Sequence, residues 1–247
     1  MPRAGERVLV LSPHPDDETI ATGGYIYSAC LAGAIVHVIL VTDGNKHFLR
    51  TRRYQEFRRA TALLGVPVAQ LRFWEYPDGH LQFYAGSLEK RVCKEIEVFD
   101  PAVVLYPHPG DHHPDHAILG RVTERILISS TKGRIQIAAY RYLVHHPCYP
   151  HPKILVPRDK LLPPISMVSM DQQWQIFCLS PEAVRIKTAA IREYSTQLRS
   201  AYLRSIMLSL IRQNELLGRW IPWKNIPPYS PLMVHFRPGN CAQYISR

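Results

Sequence analysis

In the first 145 residues, short apolar runs alternate with segments of helical spacing, and that alternation limits the fold more than any other feature of the chain. Arg7–Ser12 is an apolar run ending in a Pro-rich turn, as a strand buried on both faces would. Residues 19–32 fit a helix closed by Gly33, Ile35–Thr42 a second strand, 52–64 a helix stopping at Gly65, and 69–75 a third strand. The series continues with a helix at 87–99, a strand at 102–106, a helix at 116–128 and a strand at 135–144. Such alternation demands right-handed crossovers and predicts an α/β, Rossmann-like three-layer fold with a mainly parallel sheet in the order 3-2-1-4-5. In that order the first and fourth strands are neighbours. Ligands bind where the sheet reverses direction, outside the carboxyl ends of its strands.

After residue 145 the pattern changes. Residues 145–164 are rich in proline and form an irregular excursion compatible with a short strand at 153–156. Residues 174–179 fit a late strand, and 182–198 and 200–217 fit helices. In the second helix Leu203, Ile206, Met207, Leu210, Asn214 and Leu217 would share one face, expected to pack on the main body. Ile226-Pro227-Pro228 would end the helical region. The expected organisation is a single domain: a Rossmann-like core over residues 1–145 and a smaller C-terminal α+β extension over 146–247 packed on it.

Composition narrows the setting. Apolar residues make up 46% and charged residues 20%, which is ordinary for a globular protein. No apolar run nears the ~20 residues that cross a bilayer, and no signal-type segment precedes the first strand. Cys30, Cys93, Cys148, Cys178 and Cys241 are scattered without CxxC spacing and read as thiols of a reducing compartment, so a cytoplasmic location is expected. Much of the formal +10 charge falls after residue 180, where only Glu182, Glu193 and Glu215 oppose a series of Arg and Lys. That excess either favours an anionic partner or is a solvated face. A membrane surface stays open as a partner. Specific nucleic-acid binding is not expected, because no recognition motif accompanies the charge. Trp220, Ile221 and Trp223 either cap the core or meet a second copy in a homo-oligomer.

Two segments carry chemistry, and both follow strands that the topology makes adjacent. Pro13-His14-Pro15-Asp16-Asp17-Glu18 follows the first strand, and His113-Pro114-Asp115-His116 lies after the fourth. Catalytic zinc commonly takes three nitrogen or oxygen ligands and keeps one position for water. His14 and Asp17 can supply two ligands from one turn, and a histidine of the second segment completes the set. Asp16 cannot easily point the same way as Asp17, which leaves it to act as a general base. His113 and His116 share a face if a helix starts here, with Pro114 in its first turn. One of them can bind the metal while the other supports an oxyanion. A nucleotide module is disfavoured, since carboxylates replace the glycines of a phosphate-binding turn.

These segments resemble the LmbE-like or PIG-L-like de-N-acetylases, with their HPDDE turn and later HPDH. Val41-Thr42-Asp43-Gly44, Arg53-Tyr54-Gln55-Glu56, Tyr76-Pro77-Asp78-Gly79 and Lys187-Thr188-Ala189-Ala190 also match. The resemblance runs from Arg7 to about Leu198. It implies a zinc-dependent N-deacetylase, a hydrolase that removes an acetyl group from the N-acetylglucosamine moiety of a glycoconjugate. By the same resemblance His14, Asp17 and His116 are the metal ligands, Asp16 the base and His113 the oxyanion-side histidine. Arg53 and Asp78 would face the sugar. The substrate is then a small molecule or glycoconjugate, anionic if the charge excess serves it. The alternative is a metal-dependent amidase acting on another amide, and His/Asp/His would also accept other divalent transition metals. His145, His146 and His151 either rim the pocket or are incidental to a Pro-rich loop.

Overall fold

The computed structural model describes residues 2–45, 48–130, 137–168, 173–221 and 234–236. The alternating runs become β1 (Arg7–Ser12), α1 (Asp17–Leu31), β2 (Ile35–Thr42), α2 (Arg50–Leu63), β3 (Leu71–Tyr76), α3 (Ala85–Phe99), β4 (Val103–Pro107), α4 (Pro114–Ser130) and β5 (Ala138–Tyr142). These strands are parallel and stand in the order 3-2-1-4-5, with Val8 of β1 opposite Val36 on one side and Val103 on the other. Both faces are covered, and period-two alternation divides the side chains between them. Val8 and Val10 of β1 pack with Ile26 of α1 and Phe57 of α2, whereas Leu9 and Leu11 pack with Val92 of α3 and Leu119 of α4.

The chain then adds two short helices and two longer ones: α5 (Ile165–Val168), α6 (Pro181–Glu193), α7 (Ser195–Leu198) and α8 (Ala201–Ser209). Strands β6 (Trp174–Cys178), β7 (Asn214–Arg219) and β8 (Val234–Phe236) extend the same sheet beyond β5 in the order β7-β6-β8. Strand β7 runs antiparallel to both β5 and β6. Among the described residues no helix is long and apolar enough to cross a membrane.

The expected helix at 200–217 does not form as one element. Helix α8 stops at Ser209, the chain turns, and Asn214 and Leu217 lie in β7 rather than on the helical stripe of Leu203 and Ile206. Buried polar groups decide this. Arg212 turns inward, donating from Nε to the Ser209 carbonyl at 2.7 Å and from Nη2 to that of Pro152 at 2.8 Å. Glu215 is fully buried and accepts the Gly24 and Tyr25 amides at 2.7 and 2.8 Å and Lys187 Nζ at 2.7 Å. A continued helix would satisfy none of these. The 182–198 segment is likewise divided at Tyr194, whose buried hydroxyl donates to Glu18 under the first turn of α1. Residues 153–156 form no strand. Trp220 is buried with Leu9 and Leu11 and so caps the core, while Trp223 and Ile226-Pro227-Pro228 lie outside the described residues.

The Lys187–Glu215 pair ties α6 to β7 and pins α1, which carries the first chemical turn. Glu215→Ala leaves a buried ammonium without its partner, a change that costs about 3–5 kcal/mol. Urea unfolding should show the midpoint of this variant well below wild type with the slope unchanged.

Candidate metal and catalytic centre

Strand β1 ends at Ser12, whose Oγ shares its one proton between the His14 carbonyl at 2.8 Å and Glu18 Oε2 at 3.0 Å, folding the following turn back on itself. Asp16 takes φ 130°, a backbone region rarely adopted by any residue but glycine. It is held there because its carbonyl accepts the Thr19 and Ile20 amides and its own amide donates to Glu18. The two adjacent carboxylates consequently diverge. Asp17 faces two imidazoles, while Asp16 faces Arg53 Nη2 at 3.8 Å.

The second segment comes from the start of α4, where Pro114 occupies the first turn. Gly120 lets this helix lie against the end of β4. A Cβ there would sit 2.5 Å from the Pro107 carbonyl oxygen, a backbone atom that cannot give way. His116 is thereby brought beside His14. His14 Nδ1, Asp17 Oδ2 and His116 Nε2 form a triangle with sides of 3.1, 3.0 and 3.3 Å. Ligand bonds near 2.0–2.1 Å about a tetrahedral centre give edges of about 3.3 Å, so these atoms have the spacing of a set that can hold a metal ion. His113 lies beside the triangle, its ring meeting that of His14 edge-on at 4.5 Å.

Two carboxylates behind the triangle orient it. Asp115 Oδ2 lies 3.1 Å from His14 Nε2 and accepts the Gly79 amide at 2.7 Å, and its Oδ1 accepts the Leu81 amide. Asp111 Oδ2 lies 3.3 Å from His116 Nδ1, off the line of a hydrogen bond, so that contact is ionic. Asp111 also accepts the amides of His113, Val144 and His145, which joins the loop after β4 to the loop after β5. Carboxylates of this kind fix the orientation and basicity of metal-binding imidazoles.

Electrostatics follow from burial and from these contacts. Burial alone would lower the His14 pKa, but the Asp115 and Asp17 carboxylates outweigh it and lift it to about 9. His116 is raised on the same balance by Asp17 and Asp111. Asp17 is held well below the usual carboxylate range, because His116 and His14 overcome its desolvation. Asp16 is pushed well above that range by burial and by the neighbouring Asp17 charge, with Arg53 opposing. Burial, with His14 and His116 adding to it, drops His113 to about 3. His113 Nδ1 accepts the Asp115 amide at 3.2 Å, which leaves the proton of the neutral ring on Nε2.

A cavity of about 480 Å³ collects His14, Asp16, Asp17, Arg53, Asp78 and His113 in its lining. His116 stands behind this surface, fully buried. Arg53 and Asp78 reach the cavity already joined to each other at 3.3 Å. Arg53 also donates to the carbonyls of Gly44 and Pro15, so it braces the turn that bears Asp16. His145 lines the cavity too, its ring 4.9 Å from that of His116. Sequence reasoning had no means to separate it from His146 and His151. Asp111 was visible only as one acid among several in a His-rich loop, and nothing in its spacing marked the amides it collects.

A metal ion entering the triangle must displace the proton that His14 holds below about pH 9. Calorimetric zinc titration at pH 7 in buffers of different ionisation enthalpy should show release of at least one proton per metal. The release should decline, and the affinity rise, as pH climbs through about 9.

Residues 9–127 match the sequence model of the PIG-L family, described as GlcNAc-PI de-N-acetylase. The chain is 32% identical over 127 residues to the diacetylchitobiose deacetylase of Thermococcus kodakarensis, across 47% of this chain and 46% of that one. It is 30% identical over 141 residues to a probable N-acetyl-alpha-D-glucosaminyl L-malate deacetylase 2 of Bacillus anthracis, across 51% of this chain and 62% of that one. The match therefore spans about half of the first relative and somewhat more of the second. Among solved structures, a triple mutant of a deacetylase of the teicoplanin biosynthetic pathway shares the fold, with a TM-score of 0.64 at 17% identity over 86% of this chain and 97% of that one. The matched stretch contains both His/Asp segments, and over residues 9–127 this chain is similar to the PIG-L family.

Proposed function

We propose that the chain is a zinc-dependent N-deacetylase, working in the cytoplasm, that removes the acetyl group from the N-acetylglucosamine moiety of a glycoconjugate. The observation that carries this reading is the triangle of His14 Nδ1, Asp17 Oδ2 and His116 Nε2 with Asp16 and His113 beside it at one cavity. Those three residues would hold the ion. When bound, zinc would polarise the amide carbonyl and lower the pKa of a water from 15.7 to about 7.

The protein's own groups would do the rest. Asp16 is buried, constrained by its backbone and raised in pKa, which suits a carboxylate that takes a proton from water and returns it to the departing nitrogen. Arg53 keeps that carboxylate aimed at the cavity. Neutral His113 can donate from Nε2 to the oxygen that gains charge as the carbonyl is attacked, so no imidazolium is needed. Asp78 and Arg53 would present polar atoms to the sugar hydroxyls.

Acetate release from a panel of N-acetylglucosamine conjugates, with chelated and zinc-restored protein in parallel, tests the reading. Activity should vanish with the metal and return with zinc. Silence on every acetylated sugar, with metal present, would redirect the reading to another amide. Asp16→Asn should retain its metal and lower kcat by about 10²–10⁴, the usual worth of a general base. A near wild-type rate would remove Asp16 from that role. His116→Ala should be purified without stoichiometric metal, and full occupancy would remove it from the ligand set.

A further inference from the structure

The ionic groups account for only part of the cavity lining. Helix α8 supplies Tyr202, Leu203, Ile206 and Met207, which fall on one face by helical spacing, and α1 adds Ile20. Ile206, Met207 and Ile20 are anchored in the core and make a rigid floor. Tyr202 remains 64% exposed and Leu203 is half-buried, so their apolar surface is not consumed by packing within the described chain. Surface of this kind, continuous with a reactive centre, recognises an apolar group on the same ligand.

Charge argues in the same direction. Arg53 is the one Lys or Arg in the lining among the described residues, and its charge is already opposed by Asp78 at 3.3 Å and Asp16 at 3.8 Å. The one basic residue of α8 does not compensate, because Arg204 is exposed and outside the cavity. A phosphate or carboxylate on the aglycone would lose hydration in this cavity without gaining an unopposed Lys or Arg among the described residues. Among the described residues the positive charge is therefore not focused on this cavity.

We propose that the face of α8 formed by Tyr202, Leu203, Ile206 and Met207 is a subsite for an uncharged apolar aglycone, alkyl or aryl. This rests on the deacetylase reading above and makes the substrate an amphiphile, with its acetylated sugar at the His/Asp cluster and its apolar group along α8.

The test is a homologous series of methyl, butyl and hexyl N-acetyl-β-D-glucosaminides, with a carboxyalkyl glycoside and diacetylchitobiose alongside. Acetate release by the zinc-loaded protein gives KM, and equilibrium binding of the corresponding glucosaminides is measured in parallel. Full burial of a methylene is worth about fourfold in affinity, so KM and Kd should fall about two- to fourfold per added methylene. Leu203→Gln should raise KM for the hexyl glycoside at least about tenfold and flatten the series. Deacetylation with the same KM across the series, or a preference for the carboxyalkyl glycoside or diacetylchitobiose, overturns the subsite and leaves the deacetylase reading standing. If no member releases acetate, the deacetylase reading falls. In that case flat binding across the glucosaminides overturns the subsite as well, whereas binding that tightens with chain length supports it.

Discussion

Asp16, Asp17, Glu18, Asp111 and Asp115 are all buried at or just before the first turns of α1 and α4, and carboxylates so close in a low-dielectric setting persist only where each is individually compensated. Asp17 has two imidazoles, Asp115 has His14 and two amides, and Asp111 has His116 and three amides. Glu18 accepts hydroxyl protons from Ser12, Thr19 and Tyr194. Asp16 is the least compensated, with Arg53 at 3.8 Å as its counter-charge, and its affinity for a proton rises accordingly. The division of labour proposed for the adjacent carboxylates follows from this inequality. One is surrounded by cationic donors and suits a metal ion, while the other is left able to exchange a proton.

The parallel half of the fold was legible in the sequence because its signals are local. Apolar runs such as Arg7–Ser12 and Ile35–Thr42 are buried on both faces, and Gly33 and Gly65 stand just past the helices they close, both at positive φ. The strand order then follows from crossover handedness, and the meeting of the two His/Asp segments follows from the order. His14, Asp16, Asp17, Arg53, Asp78, His113 and His116 meet around the carboxyl ends of β1, β3 and β4.

The antiparallel half was less legible because its determinants are distant in sequence. Helical spacing across 200–217 is real, but Glu215 meets its partners at Gly24, Tyr25 and Lys187, and a local pattern cannot register that demand. The same reason hid Asp111, whose value lies in amides contributed by the loop after β5. Propensity proposes an element, and buried polar groups can overrule it.

Asp111 also makes the two loops mechanically one. Its carboxylate bolts the amides of Val144 and His145 to the ring of His116, and the His112 amide reinforces the joint by donating to the His145 carbonyl. Inserting a residue between Tyr142 and His145 would change which amides reach the bolt. Beyond His146 no such tether to the ring is present among the described contacts, and the chain enters its Pro-rich excursion. The excursion is tied instead to Arg212 and Asn214, through the carbonyls of Pro152, Val156 and Leu161, so a change of length there would fall first on the antiparallel half and only indirectly on the His/Asp triangle.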